Sequence, residues 1–115
     1  MSIVLYGIPN CDTIKKAKKF LQDNNVEFAF HDYRKDGLTP ELLDSFVAQL
    51  GWETVLNKRG TTYRALSEEQ KQNLDETSAK QYMLESPAMI KRPILQRNSE
   101  LHIGFKAAQY QEIFK

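Results

Sequence analysis

Residues 3–14 read IVLYGIPNCDTI, and this stretch decides the fold. Its first residues are apolar or aromatic, with Ile3 and Leu5 at alternating positions, and residues 3–6 are predicted to form a short buried strand. A turn containing glycine and proline follows, and Cys11 comes directly before the apolar positions of a helix. A strand that leads through a tight turn into a helix begins a β-α-β unit. The sequence therefore predicts that the thiol lies in the first turn of this helix.

The helix after Cys11 is predicted from its apolar residues, which recur at three- and four-residue spacing. These residues are Ile14, Ala17, Phe20 and Leu21, and lysines occupy the outer positions. Asn24 and Asn25 break the helix, and residues 26–33, VEFAFHDY, are predicted to form a second strand because β-forming side chains alternate there. Crossovers of this kind are right-handed in nearly all proteins, so the two strands are expected to be parallel.

The middle of the chain is predicted to be helical. Thr39 and Pro40 form a helix start, an apolar stripe follows them, and Gly51 ends the helix. Ser67 and Ser78 each stand three residues before a glutamine, which is the capping-box pattern. This pattern predicts two further short helices that begin at these serines.

The last part of the chain is predicted to form a β-hairpin and a closing helix. Residues 94–96 and 101–104 are the two strands, residues 97–99 form the turn, and Tyr110 lies on the inner face of the helix. The complete order is β-α-β, helices, β-β-α. This order predicts an α/β, thioredoxin-like fold: a four-stranded mixed sheet with flanking helices and a helical insertion between strands 2 and 3.

Length and charge limit the class of protein. A chain of 115 residues with 41% hydrophobic content is enough for one domain, so a single thioredoxin-like domain is predicted over residues 1–115. Lys and Arg number 16 against 15 Asp and Glu, which gives no strong field toward nucleic acid or membranes. No apolar run is long enough to cross a membrane, and no signal-peptide pattern is present. The sequence predicts a cytoplasmic monomer that binds neither nucleic acid nor membrane.

The cysteine content restricts the chemistry further. Cys11 is the only cysteine, and His31 and His102 are scattered, so we expect no metal site, no internal disulfide and no bound cofactor. A lone cysteine can be merely a small buried residue, but N–H groups at a helix start stabilise a thiolate. Asp12 beside the thiol raises its pKa while the helix terminus lowers it, so these residues leave the direction of the shift open.

Four segments together resemble a known family. They are residues 5–17, LYGIPNCDTIKKA; residues 31–34, HDYR; residues 53–64, ETVLNKRGTTYR; and residues 91–94, KRPI. In these segments, which extend over nearly the whole chain, the sequence resembles the arsenate reductase (ArsC/Spx) family of the thioredoxin superfamily, most closely its YffB-like branch.

The resemblance implies the main residues of a site. Cys11 is the implied nucleophile, and Arg59 and Arg92 are the implied basic residues that converge on its pocket. A guanidinium suits this role because its planar fork binds an oxyanion or a carboxylate through two hydrogen bonds. The resemblance also implies a cis Arg92–Pro93 bond facing the thiol, which would expose backbone to an extended thiol peptide such as glutathione.

Two further residues complete the predicted site. Thr13 is expected to offer its hydroxyl or its backbone N–H to the sulfur, although threonine is also common at helix starts. Lys15 lies one helical turn beyond Cys11, where it can offset the charge of Asp12. The alternative for Lys15 is that it simply belongs to the solvated face of the helix.

The chain also departs from the glutaredoxin-coupled arsenate reductases. Those enzymes carry a histidine where Gly7 stands, an arginine where Lys15 stands, and a third arginine after the last strand, where this chain has Phe105 and Lys106. An arsenate oxyanion needs several fixed donors to offset its desolvation. These departures therefore disfavour arsenate as the substrate.

The lack of a second cysteine sets the expected mechanism. Ile14 occupies the position of the second thiol of Cys-x-x-Cys proteins, so an external thiol such as glutathione or glutaredoxin must release Cys11 from a mixed disulfide. The sequence predicts a monothiol, glutathione-dependent thiol/disulfide reductase acting on a small-molecule thiol or oxyanion. One alternative is an arsenate reductase coupled to glutaredoxin. The other is an Spx-like, non-enzymatic regulatory protein that binds the transcription machinery.

Overall fold

The computed structural model describes residues 2–9 and 11–114, so Asn10 of the cysteine motif lies outside the described residues. The chain divides into two compact units. The first unit comprises the chain up to Asp36 and from Arg92 onward, and the second comprises residues 37–91. The prediction of one domain over residues 1–115 stays a prediction. Within the described residues, no helix is long and apolar enough to cross a membrane.

The helices and strands follow in the predicted general order. They are β1 (Ile3–Gly7), α1 (Asp12–Asp23), β2 (Ala29–Asp32), α2 (Pro40–Leu50), α3 (Trp52–Val55), α4 (Thr61–Arg64), α5 (Glu68–Gln72), α6 (Glu76–Glu85), a short 3₁₀ helix (Pro87–Met89), β3 (Ile94–Arg97), β4 (Glu100–Ile103) and α7 (Ala107–Ile113).

The first unit contains a mixed sheet with the strand order β2-β1-β3-β4. Strand β1 is parallel to β2 and antiparallel to β3, which in turn pairs antiparallel with β4. Leu5 lies at the centre of the sheet, opposite Phe30 on one side and Leu95 on the other. The fold is therefore α/β and thioredoxin-like, with the sheet topology that the sequence predicted.

One buried cluster of this unit lies on a single face of the sheet. Side chains from β1, α1, β3 and α7 meet there, and they are buried: Ile3, Leu5, Ala17, Leu21, Leu95 and Tyr110. Phe105 packs against Tyr110 with ring centroids 4.7 Å apart, in an edge-to-face arrangement. This packing fixes α1, and therefore the residues at its first turn, against the central strand.

The second unit is helical and is closed by a short bridge. Thr39 caps α2 by accepting a hydrogen bond from the N–H of Leu42 at 3.1 Å, as predicted. Leu56 and Ile90 form an isolated antiparallel bridge, and the N–H of Lys91 donates to the carbonyl of Val55 at 2.8 Å. After this bridge the chain continues to Arg92, where the first unit resumes.

Two predicted element boundaries were wrong by three residues each, and the bounds of the hairpin strands differ from the prediction by one residue. The box at Ser67 is present, but Ser78 does not begin a helix: Asp75 caps α6, and Ser78 is the third helical residue that completes the box. Strand β2 begins at Ala29 and not at residue 26, because Ala29 already lies opposite Val4, near the start of β1. The residues before Ala29 therefore have almost no partner strand to pair with.

Candidate functional site

Cys11 is placed by the junction between β1 and α1. It is the N-cap residue of α1, with an extended backbone at φ −102° and ψ 129°. Its carbonyl accepts the N–H of Lys15 at 3.0 Å, which is the first turn of the helix. The side chain is half-buried, and the thiol is free. The sulfur is therefore accessible and lies at the positive end of the helix, as predicted.

The pKa of Cys11 is lower than that of an ordinary thiol. Partial burial is the largest influence and raises the pKa, but the backbone N–H groups of Ile14 and Thr13 and the Arg92 side chain together lower it more. Arg92 acts both as a hydrogen-bond donor and through its charge. The thiol makes no ordinary side-chain capping bond to the helix. The N–H groups therefore act chiefly by stabilising the thiolate, which accepts hydrogen bonds more strongly.

Arg92 is held beside the sulfur by the start of β3. The Arg92–Pro93 bond is cis, as the resemblance implied, and Pro93 is fully buried. The carbonyl of Pro93 accepts the N–H of Gly104 at 2.8 Å, and Ile94 pairs with Tyr6 of β1. The backbone on both sides of Pro93 is thus tied to the sheet, which fixes the origin of the Arg92 side chain.

The other predicted site residues have different positions. Thr13 interacts with the sulfur through its backbone N–H, which is one of the two expected modes. Lys15 is exposed on α1. Arg59 belongs to the second unit, where its side chain is exposed and its N–H donates to the side-chain oxygen of Asn57 at 3.2 Å. Roles in substrate binding for Lys15 and Arg59 stay predictions.

Gly7 explains one departure from the arsenate reductase pattern. The Ile14 side chain is only 1% exposed and lies directly against the Gly7 Cα. A Cβ at position 7 would lie 3.1 Å from Cγ1 of Ile14 and closer still to its Cδ1. A histidine at position 7 therefore has no room while Ile14 keeps this conformation.

Gly7→Ala is expected to destabilise the protein by about 1–3 kcal/mol, because the added methyl overpacks a buried contact. Ile14→Val removes Cδ1, so the Ala substitution should be less harmful in that background by about 1 kcal/mol. Chemical unfolding of the wild type, both single variants and the double variant measures this coupling. Additive effects would show that the Gly7–Ile14 contact is not the source of the destabilisation.

Two residues of the site were not identified as such from the sequence. Ile14 supplies a backbone N–H to the sulfur. An N-cap side chain faces the N–H groups of the second and third helical residues, so the position of Cys11 could have indicated this role for Ile14. Tyr33 packs beside Tyr6 and is affected by the charge of Arg92. Its signal in the sequence, an aromatic residue at a strand end, is too common to be specific.

The segment after β4 offers no arginine. Phe105 is drawn into the core against Phe20 and Tyr110, and Lys106 is exposed as the N-cap of α7. Among the residues that the structure describes, no group of three or more His, Cys, Asp or Glu side chains is arranged to hold a metal ion. The described chemistry of this site is therefore that of one thiol, backbone donors and the Arg92 guanidinium.

Comparison with known proteins gives consistent results. A family model described as the ArsC family matches residues 6–113. The chain is 47% identical to a solved protein called YFFB, over 96% of this chain and 97% of that one, with a TM-score of 0.91. It is 50% identical to an arsenate reductase (ArsC) related protein from Brucella melitensis, with coverage of 100% and 96% and a TM-score of 0.84.

A more distant relative is described as a transcriptional regulator. The chain is 27% identical over 108 residues to the global transcriptional regulator Spx 2 of Bacillus anthracis. The similarity covers 90% of this chain and 79% of the relative.

Proposed function

The chain belongs to the ArsC family, and we propose that within this family it is a monothiol, glutathione-dependent thiol/disulfide reductase. Cys11 is the nucleophile, glutathione is the external reductant, and the substrate is a small molecule that carries a disulfide. The protein works as a monomer in the cytoplasm and needs no bound cofactor.

The first chemical step is attack by the Cys11 thiolate on one sulfur of a mixed disulfide between the substrate and glutathione. A bond forms between Cys11 and the glutathione sulfur, the original S–S bond breaks, and the substrate leaves as a thiolate that takes a proton from water. The Ile14 and Thr13 N–H groups and Arg92 favour this step because they keep Cys11 ionised.

The second step regenerates the enzyme. A second glutathione thiolate attacks the glutathione sulfur of the mixed disulfide, so oxidised glutathione leaves and Cys11 returns to the thiolate form. Cys11 is the only cysteine of the chain, so no internal thiol can perform this step. In this scheme Arg92 binds a carboxylate of glutathione. Arg59 and Lys15 are predicted to bind its carboxylates as well.

One observation carries the proposal: Cys11 is half-buried rather than fully enclosed, and backbone donors and a guanidinium lower its pKa. A structural cysteine in an apolar core has the opposite property, because burial alone raises the pKa of a thiol.

The test is the pH dependence of Cys11 alkylation together with mass spectrometry after incubation with oxidised glutathione. We expect the alkylation midpoint to lie below that of an ordinary thiol, and one glutathione to be added per chain. Cys11→Ser should abolish both signals. A midpoint at or above the ordinary thiol value, with no adduct, would contradict the proposal.

Arsenate reduction is the second candidate, because the related Brucella melitensis protein is described as arsenate reductase related. Arg92 beside the thiol suits an oxyanion. Against it, the Gly7 position has no room for a histidine, and Lys106 is an exposed point charge in place of a fork. Arsenate turnover with glutaredoxin that is lost in Arg92→Ala would favour this candidate over the first.

A regulatory binding function is the third candidate, on the basis of the relative Spx 2. Binding to a partner needs no thiol turnover, so Cys11→Ser would leave such a function intact. Equal capture of purified RNA polymerase by the wild type and Cys11→Ser, with no glutathione adduct on the wild type, would replace the reductase proposal by this one.

A further inference from the structure

Helix α1 carries a row of lysines that begins beside the thiol. The N–H of Lys15 donates to the carbonyl of Cys11 at 3.0 Å, so the helix period runs from Cys11 onward. At about 100° per residue, positions 15 and 18 lie within about 40° of the direction of Cys11 around the helix axis. Lys19 lies about 80° from that direction, and Lys16 lies about 140° from it. We call Lys15, Lys18 and Lys19 the α1 lysine row.

The contact between Lys18 and β2 shows which way the row faces. The Lys18 ammonium nitrogen lies 3.8 Å from the centroid of the Phe30 ring, where the face of the ring attracts a cation. Phe30 belongs to β2, which is the strand at one edge of the sheet. The row therefore follows the side of α1 that is nearest to this edge of the sheet.

The row is a local concentration of positive charge. The whole chain has a formal charge of only +1, and the two acidic residues of α1 are Asp12 and Asp23. By the helix period, both lie about 100° or more from the direction of Cys11, toward the side where Lys16 lies. The side of α1 that carries Cys11 therefore carries lysines and no carboxylate of this helix.

The charges of Lys15 and Lys19 are available to a ligand. Both side chains are exposed, and among the described residues no salt bridge engages Lys15. Lys19 pairs with Asp23 at 3.3 Å, but the two side chains are 77% and 61% exposed, so water and salt weaken this pair. An anion near Cys11 can therefore interact with Lys15 and Lys19 without breaking a strong contact of the protein.

We propose that the α1 lysine row binds a negatively charged group of the substrate, so that Cys11 prefers disulfides whose departing half is anionic. The inference rests on the proposed reductase, in which Cys11 attacks a mixed disulfide between the substrate and glutathione. It specifies the substrate as a thiol that carries a carboxylate or a phosphate. The bonds that form and break stay those of the first step described above.

The length of the row favours a role beyond glutathione. Glutathione is common to every such mixed disulfide, so discrimination between substrates must come from the other half. Lys15 is one helical turn from Cys11, and Lys18 and Lys19 extend the positive charge by roughly 4.5–6 Å further along the axis. The departing sulfur also gains negative charge as the S–S bond breaks, and nearby cations stabilise that charge.

Two aromatic disulfides test the preference without glutathione. Dithiobis(nitrobenzoate) carries a carboxylate on each half, and dithiodipyridine is neutral. Cys11 attacks either one, keeps one half as a mixed disulfide and releases the other as a coloured thiol. Both rates contain the same thiolate fraction, so their ratio reports the preference for charge. We expect the ratio to fall about threefold at low salt in the double variant Lys15→Gln/Lys19→Gln, the size expected for two exposed charges.

Lys16→Gln is the matched control, because it removes the same charge from the other side of the same helix. It should leave the ratio nearly unchanged, and glutamine preserves the helix propensity in every variant. In about 1 M salt, the wild type and the double variant should give equal ratios, because charges are then screened within about 3 Å. An unchanged ratio in the double variant, or an equal fall in Lys16→Gln, would overturn the inference.

Mixed disulfides of glutathione connect the preference to the proposed cycle. Those with mercaptopropionate, which is anionic, and with mercaptoethanol, which is neutral, share the glutathione half and differ in the departing half. The ratio of their kcat/KM values should fall in the double variant by the same factor. A wild type that shows the aromatic preference but uses neither glutathione disulfide would contradict the reductase and support the role of the row. A Cys11 that is inert to all four disulfides would overturn both proposals.

Discussion

Arg92→Ala is expected to move the alkylation midpoint of Cys11 to higher pH, and to lower the alkylation rate below the new midpoint by up to about tenfold. Partial burial raises the pKa of Cys11, and the Arg92 hydrogen bond and charge are among the influences that reverse this effect. One charge-assisted hydrogen bond at a half-exposed site is worth roughly 1.5 kcal/mol, the low end of its range because solvent screens it, and this corresponds to about tenfold. Stopped-flow alkylation across a pH series measures the change.

Two variants control for this result. Arg64→Ala removes the same charge from an exposed position in the second unit and should leave Cys11 unchanged. Arg92→Lys keeps the charge but loses the planar fork, so its rate should lie between those of the wild type and Arg92→Ala. A normal rate in Arg92→Ala would mean that the helix N–H groups alone keep the thiol ionised.

Leu5→Ala is expected to destabilise the protein by about 2–5 kcal/mol, which is a large part of the stability of a small domain. Leu5 is 0% exposed, lies on the central strand, and belongs to the core that holds α1 against the sheet. Its truncation leaves a cavity that the surrounding strands cannot fill by a simple shift. Urea unfolding followed by circular dichroism measures the change in midpoint.

Leu101→Ala is the matched truncation on the edge strand β4, where the side chain is only half-buried. It should destabilise by about 1 kcal/mol or less, because fewer contacts and less apolar area are lost. Equal destabilisation by the two variants would show that the core around Leu5 does not dominate the stability of this unit.

The fold was predictable where side-chain periodicity was strong. Ile3 and Leu5, and then Ile14, Ala17 and Leu21, define β1 and α1 because strand and helix periods differ. The one-turn helices α3 and α4 were missed, since four residues are too few to show a period. Helix α6 begins three residues before its predicted start because Asp75 and Ser78 offer two overlapping capping patterns, and the structure uses the one that begins at Asp75.

The sequence predicted the residue types of the site, but it left open the direction of the pKa shift at Cys11. The position of Cys11 at a helix start follows from the local pattern, and the resemblance pointed to Arg92 and a cis Pro93. The direction of the pKa shift at Cys11 needed coordinates, because it is the balance of burial against donors that come from α1 and from the start of β3. Tyr33 joins this neighbourhood through long-range packing, which leaves no local signature in the sequence.

The Ile14 side chain occupies the space that a side chain at position 7 would need. Substitutions at these two positions are therefore coupled. A lineage that gains a bulkier residue at position 7 must shrink position 14 at nearly the same time, so we expect the pair to covary among descendants of this chain. The same constraint faces an engineer who wishes to install a second sulfur at position 14. Such a redesign would vacate the space above Gly7, and a compensating side chain at position 7 would be needed to fill it.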